Sequence, residues 1–150
     1  MPTSGEIHEW QDTTYRTILT AADTGGAMAV IYGEAGPFSG PPAHIHTGED
    51  EVIIVLEGKV EFETAEGRFA RGPLEVAFVP RGHAHSFRTG PEGARCITIL
   101  TPGGFENFFA ELARADLHLP RDMAQMTALA ARYGSVVVGP GLAQEVARDA

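Results

Sequence analysis

Two histidines one residue apart, followed closely by three acids, lie in the segment PPAHIHTGEDEVIIVLEG at residues 41–58. Because alternate residues of a β-strand point to the same face, His44 and His46 would present two imidazoles side by side. Neutral imidazoles bind divalent metals, and neighbours on one face can chelate one ion. The TGED stretch permits a turn that returns the Glu51 carboxylate to the same ion. These residues predict part of a metal site, with a further ligand contributed from elsewhere in the chain.

A second histidine-containing segment, VPRGHAHSF, spans residues 79–87. Its proline and glycine predict a tight turn that leads into a strand. The first segment fits the pattern HxH, four residues, Glu, six residues, Gly, and the second fits PxGxxH. The residues that meet the two patterns are His44, His46, Glu51 and Gly58, then Pro80, Gly82 and His85. Two such motifs in this order, set among strands, resemble those of the cupin superfamily.

The resemblance implies an all-β fold, the double-stranded β-helix or jelly-roll barrel, with a metal inside it. Carried over by position, the metal ligands are His44, His46, Glu51 and His85. Three imidazoles and one carboxylate suit one divalent ion of Fe, Mn, Ni, Co, Cu or Zn, and the sequence does not choose among these metals. Cupins commonly pair their barrels, and short strands leave sheet edges that need covering, so we also predict a homodimer.

The chain departs from the cupin motifs at three turn positions. Each motif of the family begins with a glycine, but Phe38 and Leu74 stand at these places, and Thr89 stands where the second motif ends in asparagine. All four ligand positions are intact. We therefore expect the loops to differ from those of the family while the metal site is kept.

A narrower resemblance, carried by GPPAHIHTGEDE, GGFENFF and the closing ARYG and GPGL, is to single-domain bacterial cupins of the quercetin dioxygenase-like group. It indicates a subgroup and not a substrate. An apolar barrel interior favours a small aromatic or enol-type molecule, so we expect a metal-dependent dioxygenase whose substrate chelates the metal, with Glu51 as ligand, catalytic base or both. A non-oxidative isomerase or cyclase and a ligand-binding or sensory cupin remain alternatives, because the fold does not decide among them.

The segments that must position these residues are short apolar runs separated by glycine and proline. This spacing is typical of an antiparallel barrel or sandwich. We predict one domain over residues 1–150, with a barrel at about 15–102 and a helical tail at about 103–150. The candidate strands are Tyr15–Thr20, Ala27–Glu34, Val52–Leu56, Lys59–Thr64, Leu74–Val79, His85–Arg88 and Arg95–Thr101. The segment EFETAEGRFARG predicts a hairpin, and SVVVG at 135–139 predicts a final edge strand.

The hydrophobic period changes to that of helices after Gly103. The first helix presents an apolar face of Phe105, Phe108, Phe109 and Leu112, and the second carries Met126, Leu129, Ala130 and Tyr133 and ends at Gly134. The aromatic face can be interpreted as a lid over a ligand or as a helix packed outside the barrel, and we favour the second interpretation.

Most residues around the motifs receive ordinary structural interpretations. We predict a barrel lining of Ile54, Val60, Phe62, Phe78, Phe87, Ile97 and Ile99. Trp10 and Tyr15 would pack at one end of the barrel. Glu49 and Asp50 would be solvated acids in the turn, and His83 would line the entrance or lie in a loop.

Composition narrows the function classes further. The net charge of −9, with scattered basic residues, disfavours nucleic acid as a partner. No apolar stretch approaches the roughly 20 residues that span a bilayer. A single cysteine, Cys96, cannot form an internal disulfide, so a reducing cytoplasm is expected. Ten of the eleven basic residues are arginine, a bias that indicates a bacterial genome.

Overall fold

The fold was analysed in a computed structural model, which describes residues 2–149 and their side chains as far as residue 145. Its strands are β1 (Ile7–Trp10), β2 (Thr13–Leu19), β3 (Ala29–Ala35), β4 (Ala43–His46), β5 (Asp50–Thr64), β6 (Gly67–Arg71), β7 (Val76–Val79), β8 (Ala84–Thr101) and β9 (Ser135–Gly139). Its α-helices are α1 (Glu106–Ala115), α2 (Met123–Arg132) and α3 (Leu142–Asp149), and a 3-10 turn lies at Ala22–Thr24.

Two long strands, β5 and β8, run side by side and belong to both walls of the barrel. Near residues 50–58 and 94–101 they form one wall in the order β1-β2-β3-β8-β5-β7. Their other halves continue into a second wall in the order β6-β5-β8-β4-β9. This all-β arrangement is the predicted double-stranded β-helix barrel with a C-terminal helical tail.

Glycines at the bends let β5 and β8 pass from one wall to the other. Gly58 and Gly93 have φ angles of +83° and +75°, in the left-handed region that glycine adopts most readily. A Cβ at Gly58 would lie 2.3 Å from the carbonyl oxygen of Gly93, so a side chain cannot fit there. The register of the two strands shifts between Gly58 and Val60. The segments LEGK and TGPEG, predicted as turns between separate strands, are therefore bends within continuous strands.

The bends invert which residues of each strand face the interior. On β5, Ile53 and Val55 are buried before the bend, and Val60 and Phe62 are buried after it. The interior set thus changes from odd to even numbers within one strand. On β8 it changes from His85, Phe87 and Thr89 to Ala94, Cys96 and Thr98, which border the interior cavity or its histidines.

The inversion makes part of the predicted lining wrong. Val60, Phe62 and Phe87 face the interior as predicted. Ile54, Ile97 and Ile99 alternate with the interior residues and lie on the outer face, where Ile54 pairs with Ile97. Phe78 is also on that face and is 57% exposed. In a run of consecutive apolar residues, apolar and polar positions do not alternate. The run therefore does not show which alternate residues face the interior.

The helical tail packs on the inside of the first wall. Phe105, Phe108 and Leu112 cluster with Ile31 and Leu100 of that wall, so the favoured interpretation of α1 as a helix outside the barrel is wrong. Met126, Leu129 and Ala130 of α2 are buried in the same cluster, as the apolar periodicity predicts. None of the helices within residues 2–149 has the length and apolar character needed to cross a membrane.

The two non-glycine residues at the motif starts adopt the left-handed backbone conformation that glycine adopts most readily. Phe38 has a φ of 54° and Leu74 a φ of 66°, and both side chains are exposed. Thr89 braces the first of these turns, since its hydroxyl donates to the carbonyl of Gly36 at 2.6 Å and accepts from the Ser39 amide at 2.8 Å. A left-handed conformation at a residue with a side chain stores local strain in both turns.

Candidate metal centre

The predicted site residues are brought together by the pairing of β4 with β8. His44 and His46 lie two residues apart on β4, and His44 stands opposite His85 in the ladder. The nitrogen atoms available for ligation in these three histidines lie within 4.8 Å of one another. His46 and His85 are buried, and His44 is partly buried.

Glu51 joins the cluster from β5, of which it is the second residue. Its Oε1 lies 2.9 Å from Nε2 of His85, and its Oε2 lies 3.5 Å from Nε2 of His46. The carboxylate is buried and is set by strand pairing with Val79 and Leu100. Glu51 is therefore held by a strand, as the histidines are, rather than by the flexibility of the TGED turn.

The second ring nitrogen of each histidine faces an oxygen outside the cluster. Nδ1 of His44 lies 2.8 Å from the carbonyl oxygen of Pro42, and Nδ1 of His85 lies 3.4 Å from that of His83. Nδ1 of His46 faces the carboxylate of Glu49 at 3.6 Å. Since a carbonyl can only accept, the tautomer assigned to His44 carries its proton on Nδ1 and leaves the Nε2 lone pair free, whereas Nε2 of His85 donates to the Glu51 carboxylate in the absence of a metal.

This donor set fits a divalent transition metal. Imidazole nitrogens and one carboxylate suit several first-row ions, and ligating histidines usually donate their other N–H to an oxygen. Three histidine nitrogens around one point and a carboxylate beside two of them meet these requirements. The same residues without a metal place a buried carboxylate among three imidazoles, a costly arrangement for structure alone.

The two histidines of β4 differ in their electrostatic surroundings. Burial, assisted by the neighbouring His85, lowers the pKa of His44 to about 4, so this ring is neutral at pH 7. Burial also works to lower the pKa of His46, but the carboxylates of Glu49 and Glu51 outweigh it and raise this pKa to about 9. Burial raises the pKa of Glu51, yet the hydrogen bonds from His46 and His85 prevail and bring it well below its usual value.

A cavity of about 170 Å³ adjoins the cluster and is mainly apolar. Phe105, Phe108 and Phe109 of the α1 region line it on one side, and Tyr15 packs on Phe109 with ring centroids 4.6 Å apart. Burial raises the pKa of Tyr15 above its usual range. The helix interpreted as packing outside the barrel thus covers the cavity, as a lid would, and its i, i+3, i+4 aromatic spacing is the signal that identified this face.

Of the residues beside the motifs, His83 lies in a loop, one of its two predicted positions, whereas Glu49 differs from its predicted role. The side chain of His83 is exposed, and only its carbonyl contacts the site, through His85. Glu49 was predicted to be a solvated turn acid, and this is wrong, because its side chain is 13% exposed and faces His46. Asp50, its neighbour, does lie at the surface, where it pairs with Arg81.

A sequence model of the cupin domain matches residues 33–100, the span that contains both motifs. Over this span, a little under half of its length, the chain is similar to the cupin family. The chain is also 27% identical over 101 residues to quercetin 2,3-dioxygenase of Bacillus subtilis strain 168, a match covering 67% of this chain. It spans about 30% of the length of that curated relative.

Solved structures support the fold. An RmlC-like cupin from Shewanella frigidimarina superposes with a TM-score of 0.60 at 15% identity, covering 69% of this chain and 88% of the other. KdgF from Halomonas sp. superposes with a TM-score of 0.59 at 14% identity, covering 67% and 91%. At these identities the likeness concerns the fold alone.

Proposed function

We propose that this cupin is a metal-dependent dioxygenase that acts on a small aromatic or enol-type substrate able to chelate the metal. The observation that carries the proposal is the convergence of three histidine nitrogens and the Glu51 carboxylate beside an apolar cavity. The similarity to a quercetin 2,3-dioxygenase supports the choice of oxygen chemistry over other cupin reactions.

His44, His46, His85 and Glu51 are the residues that would hold the metal. A divalent transition metal bound there supplies Lewis acidity and a binding position for the substrate's hydroxyl and carbonyl oxygens. The histidines sit on paired strands, so their positions are set before any ligand arrives.

Glu51 is positioned to move a proton. Its two oxygens lie on the side of His46 and His85 that faces the shared centre. Because its pKa is lowered by these histidines, it stays ionised at neutral pH and can accept the proton of a substrate hydroxyl. We assign it the role of general base, with weak or exchangeable metal coordination.

The cavity favours an apolar, planar substrate. Its aromatic wall can stack on a ring and exclude water from the reaction. Among the described residues that line it, none is lysine or arginine, the side chains that bind phosphate groups. This composition speaks against a sugar phosphate, and the volume of about 170 Å³ favours a small molecule.

Metal analysis followed by an aerobic substrate screen tests the proposal. The purified protein should carry close to one transition-metal ion per chain, and His44→Ala/His46→Ala should lose most of it. His118→Ala, a change at an exposed histidine outside the site, is the matched control. Full metal retention in the double variant would refute the site.

Oxygen uptake separates the remaining functions. Turnover of a chelating aromatic or enol substrate with stoichiometric oxygen consumption supports the dioxygenase. Turnover without oxygen consumption would identify an isomerase or cyclase instead. Substrate binding without turnover of any kind would identify a ligand-binding or sensory cupin.

We also propose a homodimer formed through the outer face of the first wall. Strand pairing aligns a row of apolar residues across this face: Phe78, Val52, Ile99, Val30 and Leu19. Phe78 and Val76 are 57% and 45% exposed, and the chain's own helices cover the opposite, inner face. An apolar sheet face of this kind fits a second copy related by a two-fold axis. We place this homodimer in the cytoplasm, the compartment expected for a chain with one free cysteine.

A further inference from the structure

Glu49 is folded inward although it lies in the short turn between β4 and β5. Its Oε2 and Nδ1 of His46 are both buried, and among the described residues neither has a hydrogen-bond partner. The two atoms face each other at 3.6 Å. Buried polar atoms are normally satisfied, so two orphans this close to one another call for an explanation.

The other two site histidines also have an oxygen beside Nδ1. Nδ1 of His44 and Nδ1 of His85 each face a backbone carbonyl, which leaves Nε2 directed at the shared centre. His46 alone has a carboxylate in this place. Glu49 and Glu51 thus flank the same ring on opposite nitrogens, Glu49 at Nδ1 and Glu51 at Nε2.

We propose that Glu49 is a positioning residue that accepts the Nδ1 proton of His46 and holds the Nε2 lone pair of this histidine toward the metal. The proposal rests on the metal site put forward above, but not on the oxygen chemistry. Glu49 itself lies behind the ring, on the side away from Nε2, so it acts through His46 rather than as a ligand.

A carboxylate beside Nδ1 affects metal binding by His46 more strongly than a backbone carbonyl would. Hydrogen bonding of a ligand's N–H to a carboxylate fixes the ring orientation and makes the opposite nitrogen a stronger donor to a metal. Loss of such a partner typically weakens metal affinity by roughly 10–100-fold. His46 should therefore depend on Glu49 more strongly than a turn residue with a purely structural role would allow.

Cobalt binding tests the proposal in the full chain. Dissociation constants for Co(II) are measured by chelator competition, together with the visible absorption spectrum, in wild type, Glu49→Ala and Glu49→Gln. Glu49→Ala should raise the dissociation constant by roughly 10–100-fold and shift the cobalt bands. Glu49→Gln keeps an acceptor oxygen without the charge and should fall between wild type and Glu49→Ala.

Asp50→Ala is the matched control, since Asp50 is the first residue of β5, directly after the same turn, and ties this end of the strand to Arg81 at the surface. It should loosen the turn and leave cobalt affinity and spectrum near those of wild type. In the zinc-loaded protein, the Nδ1 proton of His46 should be visible by NMR in wild type and in Asp50→Ala. In Glu49→Ala this proton should be lost to exchange.

The outcomes separate the two proposals. Unchanged affinity and spectrum in both Glu49 variants would overturn the role of Glu49 and leave the metal site standing. An equal loss of cobalt affinity in Asp50→Ala would also overturn the role of Glu49, because a less ordered turn would then account for the effect. Should Glu49→Ala fail to fold, Glu49→Gln and the NMR signal decide the question. Wild-type protein that binds no cobalt would refute the metal site and the role of Glu49 together.

Discussion

The carboxylate of Glu51 contacts two of the three site histidines, so a substitution there separates metal binding from catalysis. Glu51→Gln keeps the shape of the side chain and removes its basicity. We expect the three histidines to retain the metal and turnover at saturating metal to fall by roughly 10²–10⁴, the usual contribution of general-base catalysis. Metal content and steady-state rates measure the two effects. Near-normal turnover in the metal-saturated variant would show that Glu51 is not the base.

His46 makes the stability of chelator-treated protein depend on pH. Its pKa is about 9 in the folded chain, whereas a histidine without such neighbours has a pKa of 6.5. A raised folded pKa contributes stability that is fully present below pH 6.5 and is lost as pH rises through about 9. The lowered pKa of Glu51 acts only in acid. The lowered pKa of His44 costs stability below pH 6.5, and the loss of this cost as pH rises offsets a small part of the fall at the lower end of the window.

We therefore expect the free energy of unfolding in EDTA to fall between pH 6 and pH 9.5, by at most about 3 kcal/mol, since one pKa unit corresponds to about 1.4 kcal/mol. Urea titrations at the two pH values measure the change. His46→Gln should remove most of it. An equal pH dependence in wild type and His46→Gln would exclude His46 as its source.

Among the elements, the turn that precedes β7 carries strain that a glycine would relieve. Leu74 has a φ of 66° and is 82% exposed, so its side chain contributes little packing. Leu74→Gly should raise the free energy of unfolding by about 1 kcal/mol, because the left-handed conformation costs a side chain roughly that much. Thermal and urea unfolding measure the gain.

Ile18→Gly is the control for this substitution. Ile18 is a partly exposed residue of β2 that lies outside the left-handed region. Glycine there should lower stability by roughly 0.5–1 kcal/mol, since it adds chain entropy to the unfolded state without relieving strain. Destabilisation by Leu74→Gly as well would mean that the turn holds no recoverable strain.

For the whole molecule, the apolar outer face predicts how the chain assembles. Phe78→Glu places a charge at the most exposed end of the apolar row and should convert the homodimer to a monomer. Sedimentation over a range of protein concentrations measures the change. Phe38→Glu alters an aromatic residue of a loop that is 47% exposed, against 57% for Phe78, and should leave the mass unchanged. A wild-type mass that stays monomeric at every concentration would refute the dimer.

The candidate residues of the proposed metal site and the change from strands to helices near Gly103 could be predicted from the sequence, because they depend on neighbours in the chain. His44 and His46 lie on one side of a strand by alternation alone, and the change from short runs to a helical period near Gly103 marks the tail. The motif spacing then supplied Glu51 and His85, which the fold brings to the same point.

The tertiary structure alone decided which faces meet. The bends at Gly58 and Gly93 invert the inward parity of β5 and β8, so Ile54 and Ile97 moved from the predicted lining to the outer face. The inward turn of Glu49 depends on His46 being buried behind it, which no local pattern records. Alternation and helical period are local properties of the chain. Which face of a strand or helix packs against the core depends on segments that are distant in sequence.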